Sequence, residues 1–211
     1  MTLIDYLQAH TTPNDADLDD IERSIYLHTA NPHQSSDSYQ GRFLQFIVSM
    51  LQPKVVVELG VYAAFSTSCM AQRLASDGVL YAVEADEERE TLIREHLRMA
   101  DVEKKVQLRM GKALDVLPTL PDNIDLAFVD ADKEHYPDYY ERLLPKMRKG
   151  GVMLFDNMLW YGKVLDPVQS QLRADREAQI IANLNDTIQQ DNRVENILLP
   201  IRDGIMMCRV K

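Results

Sequence analysis

Four acidic residues stand where short apolar runs end: Glu58, Glu84, Asp130 and Asp156. A carboxylate placed after an apolar strand is costly to bury without a partner or a ligand. Any single one can be a cap for the helix that follows, but four of them together point to a ligand-binding edge. Two continue in a telling way, as Asp130-Ala131-Asp132-Lys133 and Asp156-Asn157. If these two strands are neighbours, Asp130, Asp156 and Asn157 meet at one point. Three oxygen donors, two of them charged, suit a hard divalent cation: Mg²⁺ first, with Mn²⁺ or Ca²⁺ as alternatives. Lys133 is three residues from Asp130 and within reach of the same place. A lysine beside a metal can have its pKa lowered enough to act as a base; the plainer reading is a solvated surface charge.

The first tip reads Glu58-Leu59-Gly60-Val61-Tyr62-Ala63-Ala64-Phe65-Ser66. Gly60 permits close backbone approach, and Ser66 either caps the next helix or offers a hydroxyl and amides to an anionic group. The dinucleotide pattern G-x-G-x-x-G is absent, which disfavours a nucleotide-dependent oxidoreductase. Glu84, ending the next strand, can accept both hydroxyls of a ribose or cap a helix beside Asp86.

These residues need elements to hold them. From Val55 onward, β-branched runs at 55–59, 79–84, 106–110, 125–130 and 152–156 alternate with helical patterns near 66–76, 86–100, 113–119 and 137–148. Such alternation predicts βαβ units and a parallel sheet. Lys149-Gly150-Gly151 reads as a basic last turn and a glycine stop. A loop from 157 to 170 leads into a helix at about 171–191, and the runs VENILLP and GIMMCRV form a terminal hairpin. Upstream, about 15–30 and 39–51 read as helices joined by the loop HTANPHQSSDS. The expected architecture is one doubly wound, Rossmann-like α/β domain over residues 1–211. Its sheet has seven strands, mostly parallel, with a C-terminal antiparallel strand, and residues 1–51 form a helical cap over the sheet edge or active site.

Composition narrows the partners. With 23 Lys+Arg against 33 Asp+Glu, the chain carries −10 and a pI near 4.9, so nucleic acid and anionic lipid are disfavoured. No apolar run approaches the roughly 18 to 20 residues that span a bilayer. The acidic start MTLIDYLQAHTTPNDADLDD lacks a basic-then-apolar leader, so the expectation is a cytoplasmic protein with two reduced, buried thiols, Cys69 and Cys208.

Taken together, VVVELGVYAAFS, the strand-end Glu84, LRMGKALDVLPTL, DLAFVDADKEHYPDYYERLLPKMRKGGVMLFDNMLWYGKV and the tail VENILLPIRDG resemble the cation-dependent, S-adenosylmethionine-using O-methyltransferases. That family includes catechol O-methyltransferase and the caffeoyl-CoA type, and the small bacterial members are most similar in length and tail. The resemblance runs from about Ser38 to the end. It implies that Asp130, Asp156 and Asn157 hold the metal and that Lys133 is the catalytic base. It implies that Glu84 holds the cofactor ribose, that Glu58, Gly60 and Ser66 belong to the loop around its methionine part, that Ala113 meets the adenine through its backbone, and that Asp130 also faces the cofactor. Trp160 would wall the acceptor pocket, the alternative being a core aromatic, and the assembly would be a homodimer. Two positions depart from the family pattern: Ala64 stands where a second glycine is usual, which predicts a slightly displaced loop, and Lys112 follows Gly111 where an acidic or small residue is common.

The implied reaction is methyl transfer to a hydroxyl of an ortho-dihydroxy aromatic small molecule. The same chemistry on 5-hydroxyuridine in tRNA is the alternative; its sequence test is a basic stripe, and the overall charge of −10 argues against it. A non-catalytic binding module is disfavoured by the complete metal–base set.

Overall fold

The computed structural model describes residues 2–166 and 172–211. A seven-stranded sheet is built from β1 (Val55–Leu59), β2 (Val79–Glu84), β3 (Val106–Met110), β4 (Ile124–Val129), β5 (Met147–Phe155), β6 (Val194–Leu199) and β7 (Ile205–Val210), in the order β3-β2-β1-β4-β5-β7-β6. β1 to β5 pair in parallel, and β7 runs antiparallel between β5 and β6. This is the expected architecture.

The helices are α1 (Leu3–Ala9), α2 (Ala16–His28), α3 (Ser38–Leu51), α4 (Phe65–Arg73), α5 (Glu90–Met99), α6 (Ala113–Val116), α7 (Tyr136–Leu143) and α8 (Arg173–Gln190). Side chains alternate across a strand, and that alternation divides the core. Val56, Leu80, Phe128 and Leu154 pack with α2 to α5. Val57, Val83, Val129 and Phe155 pack with α7 and α8, beneath the short α6. Buried on both faces, the central strands β1 and β4 are apolar but for Glu58 and Asp125, as suits parallel strands. The two cysteines are free and buried in different clusters, Cys69 in the first and Cys208 in the second.

Several boundaries differ from the sequence expectation. Lys149-Gly150-Gly151 is not a helix stop: β5 begins at Met147, and these residues form an irregular stretch where its register against β4 shifts between Ile124 and Leu126. Gly150 takes φ +77°, and a side chain at Gly151 would lie 2.8 Å from the Ile124 carbonyl oxygen. The glycines therefore serve a bulged strand. Helix α1 was not anticipated, although Thr2 and Asp5 form a reciprocal capping box. The helix expected at 171–191 is α8; residue 171 lies outside the described residues, as do 167–170 of the preceding loop. α2 and α3 pack chiefly on α4 and α5, and of the two placements expected for the N-terminal cap it is the cavity at the strand ends, not the sheet edge, that residues 30–36 line.

An acidic side chain is sealed inside this frame. Glu58 of β1 is fully buried and accepts hydrogen bonds from the hydroxyls of Ser66 and Thr67 on α4. Burial outweighs these donors and pushes its carboxyl up to about 8. The folded chain therefore holds a proton that the unfolded chain releases near pH 4.5. Glu58 consequently contributes most to stability below that pH, and the contribution is lost as pH rises through about 8, at about 1 kcal/mol per pH unit in between. We expect urea midpoints of the native chain to fall between pH 6 and 8, and those of Glu58→Gln to change much less; parallel curves would refute the buried proton.

Candidate active site

A cavity of about 1770 Å³ opens at the carboxyl ends of β1, β2, β4 and β5. The strand order reverses between β1 and β4, and in open α/β sheets the crevice at such a switch point is where ligands bind. Each loop leaving a tip is bonded to the adjoining strand. Gly60 N–H donates to Val83 O (2.9 Å), Asp130 N–H to Leu59 O (2.8 Å), Asp156 N–H to Val129 O (3.0 Å) and Gly111 N–H to Glu84 O (2.7 Å). Gly60 adopts φ +87°, and a Cβ there would stand 2.2 Å from the Asp130 carbonyl oxygen. Only glycine lets the loops after β1 and β4 come this close.

On the β1–β2 side, the Glu84 carboxylate organises the first loop. Its Oε2 accepts the Val61 and Tyr62 amides (3.0 and 2.8 Å), and its Oε1 accepts the Asp86 amide (2.9 Å). The loop takes left-handed backbone at Tyr62 (φ 57°) and Ala64 (φ 61°). Ala64 thus adopts the conformation for which glycine is the ordinary choice, at a cost of order 1 kcal/mol. The N-terminal segment supports the strained loop. Tyr62 Oη donates to Asn31 O (2.7 Å), and the Arg89 guanidinium lies 4.1 Å from the centre of the Tyr62 ring. His96 Nδ1 meets Ala63 O at 2.7 Å and its Nε2 meets Ser24 Oγ at 2.8 Å. Burial lowers the His96 pKa, so a neutral ring donates from Nδ1 to the carbonyl and accepts the serine hydroxyl proton at Nε2.

On the β4–β5 side, Lys133 Nζ donates to Asp130 Oδ1 (2.8 Å) and to Tyr136 Oη (2.6 Å), and it is almost fully buried. Tyr136, itself buried, has its hydroxyl 3.1 Å from the carbonyls of both Val129 and Asp156, a strut between the two strand ends. Asp156 Oδ1 accepts the Asn157 amide (2.7 Å) and Oδ2 accepts Gln40 Nε2 (2.7 Å). Burial and the neighbouring Asp130 carboxylate push Asp156 above the usual carboxylate range, with Lys133 opposing. Asn157, Trp160 and Tyr161 all have positive φ. The hairpin tip between β6 and β7 holds them: Met158 N–H donates to Gly204 O, Leu159 N–H to Asp203 O, and Tyr161 N–H to Asp203 Oδ1.

Of the residues singled out in the sequence, Gly60, Ser66, Glu84, Ala113, Asp130, Lys133, Asp156, Asn157 and Trp160 all line this cavity. Glu58 does not; it lies beneath the wall, and the Ser66 hydroxyl is turned to it. Trp160 lines the cavity and also packs partly on the second core cluster, while its Nε1 donates to Ala174 O (2.8 Å). Lys112 is exposed at the start of α6. Among the described residues no three His, Cys, Asp or Glu side chains gather as a metal-ligand group; the Asp130, Asp156 and Asn157 set consists of two carboxylates and an amide. Gln40, Asp203, Tyr136 and His96 were not anticipated. Tyr136 had a signal, lying one turn beyond Lys133; Gln40, 116 residues from its partner, had none.

The O-methyltransferase family profile matches residues 8–211. Caffeoyl-CoA O-methyltransferase 2 of Zea mays is 36% identical over 180 residues, covering 81% of this chain and 67% of its own. The crystal structure of an O-methyltransferase from Bacillus cereus in complex with SAH superposes with a TM-score of 0.88 at 28% identity, covering 98% of this chain and 96% of that one. An SAH-bound methyltransferase of Podospora anserina, at 23% identity, shares the fold with a TM-score of 0.91 over 99% of this chain and 94% of its own. With the strand order, the switch-point cavity and nearly the whole sequence in agreement, the chain belongs to the O-methyltransferase family of S-adenosylmethionine-dependent enzymes.

Proposed function

We propose that the enzyme methylates one hydroxyl of an ortho-dihydroxy aromatic small molecule, with a divalent cation held by Asp130, Asp156 and Asn157. The observation that carries this reading is the presence of two carboxylates, Asn157 and a buried lysine at the ends of β4 and β5, lining the same cavity as Gly60 and Glu84. The donor chemistry fits a hard cation: oxygen donors, with two carboxylates so close that one raises the pKa of the other despite the lysine beside them. The caffeoyl-CoA O-methyltransferase relatives add weight to an aromatic acceptor.

A cation held by Asp130, Asp156 and Asn157 would supply positive charge that favours ionisation of a phenol, which otherwise ionises near pH 10. S-adenosylmethionine supplies an already activated methyl group, so the chain's task is positioning and proton transfer. In this reading Glu84 holds the ribose with the lone pairs its three amide donors leave free, and Gly60 admits the methionine part along the first loop. Lys133 Nζ takes the proton of the hydroxyl that is methylated, held in place by Asp130 and Tyr136. The acceptor oxygen then forms its bond to the methyl carbon as the carbon–sulfur bond breaks. Trp160 walls the acceptor.

Lys133→Ala should lower kcat by about 10² to 10⁴ while leaving S-adenosylmethionine affinity nearly intact; unchanged turnover across pH 6 to 9 would remove the base assignment. Glu84→Ala should do the reverse, and calorimetry reporting unaltered cofactor affinity would refute the ribose role. Initial rates on caffeate-like catechols, matched monophenols and hypomodified tRNA test the acceptor. Catechols should react much faster than monophenols, only with Mg²⁺ or Mn²⁺ present, and with little dependence on salt. Full activity in chelator would overturn the cation reading, and methylation of tRNA but of no catechol would overturn the small-molecule reading.

A further inference from the structure

Gln40 is fully buried on the first turn of α3. A glutamine three residues after an Asp N-cap ordinarily folds back to the cap's own amide. Here the Asp37 side chain accepts the Gln40 N–H (2.9 Å), but the glutamine side chain leaves the helix end and reaches the tip of β5. Its Nε2 donates to Asp156 Oδ2 at 2.7 Å, and its Oε1 accepts from Arg202 Nη1 at 2.8 Å. A guanidinium can only donate, so Arg202 fixes which end of the amide faces it and turns the NH₂ group toward Asp156. Arg202 is itself held 3.6 Å from Asp37.

Resting on the cation reading above, we infer that Gln40 is the positioning residue of Asp156, and that Arg202 acts through it. The two carboxylates of the site are treated differently. Asp130 is paired with the charge of Lys133, whereas Asp156 is gripped by two neutral donors, the Asn157 amide and the Gln40 side chain. A neutral donor fixes the direction of a carboxylate without cancelling its charge. An arginine in direct contact would already occupy, as a cation, the place that a divalent ion takes; inserting one amide between Arg202 and Asp156 keeps the orienting power and withholds the competing charge. The N-terminal helices are thereby part of the metal centre. Outer partners of this kind are worth about tenfold to a hundredfold in metal affinity.

The test is Mn²⁺ binding to the full chain, followed by electron paramagnetic resonance, with S-adenosylhomocysteine affinity measured by calorimetry alongside. Gln40→Met keeps the length of the side chain and removes both polar ends. Its Mn²⁺ dissociation constant should rise about tenfold to a hundredfold with S-adenosylhomocysteine affinity unchanged. Arg202→Met, at the cavity rim, leaves the amide free to turn over and should give a smaller rise of the same kind. A folded Gln40→Met that holds Mn²⁺ as tightly as the native chain overturns the inference; should that variant fail to fold, native affinity in Arg202→Met does so. A native chain that binds no Mn²⁺ overturns the cation reading itself, and the inference with it.

Discussion

Two carboxylates side by side at buried strand ends repel one another, and that repulsion shapes the molecule around it. Asp130 and Asp156 end adjacent parallel strands, so the sheet register alone brings them together. Asp156 is buried and Asp130 half-buried, and the chain on either side of each is committed to a strand and a stitched loop. A buried ionised group of this kind is tolerated only when its surroundings are organised for it. Lys133, the Tyr136 strut, the Asn157 amide and Gln40 form that organisation, and each comes from a different turn of the chain. A site prepared at this expense in stability is one in which function has set the terms.

The helical layers divide the labour unequally. α7 contributes through Tyr136, whose hydroxyl meets the backbone carbonyls at the ends of β4 and β5 and accepts from Lys133 Nζ. The N-terminal helices act from the other face. Ser24 of α2 and His96 of α5 together hold the Ala63 carbonyl, Asn31 receives the Tyr62 hydroxyl, and Gln40 of α3 reaches Asp156. One flank of the fold therefore supports the first loop and the carboxylate pair at once, so order in either place is tied to the docking of residues 16–51.

Much of this was legible in the sequence because strand ends are local signals. An apolar run followed by a carboxylate shows both where a strand stops and what it presents, so β1 to β4, the hairpin and the converging acids follow from reading alone. β5 was harder: Lys149-Gly150-Gly151 has the composition of a helix stop, and only the carbonyl of Ile124 on the next strand explains why glycine is needed there. Glu58 looked like its three counterparts, yet in the sheet register it lies two residues deeper than they do, level with Ala82 and Phe128, which leaves it sealed under Ser66 instead of facing the cavity. Gln40 and Asp203 carry no local mark at all; their meaning lies in partners that folding supplies from far along the chain.

The wall around Trp160 and the hairpin tip are, mechanically, a single part. Backbone bonds join Met158 and Leu159 to Gly204 and Asp203, and a side chain at Gly204 would strike Leu159 Cγ at 2.5 Å. The left-handed residues of the wall persist because this second strand of chain over-determines them. This wall of the cavity is therefore not one loop but two segments some forty residues apart in the chain, and a change that reshapes one has to be accommodated by the other.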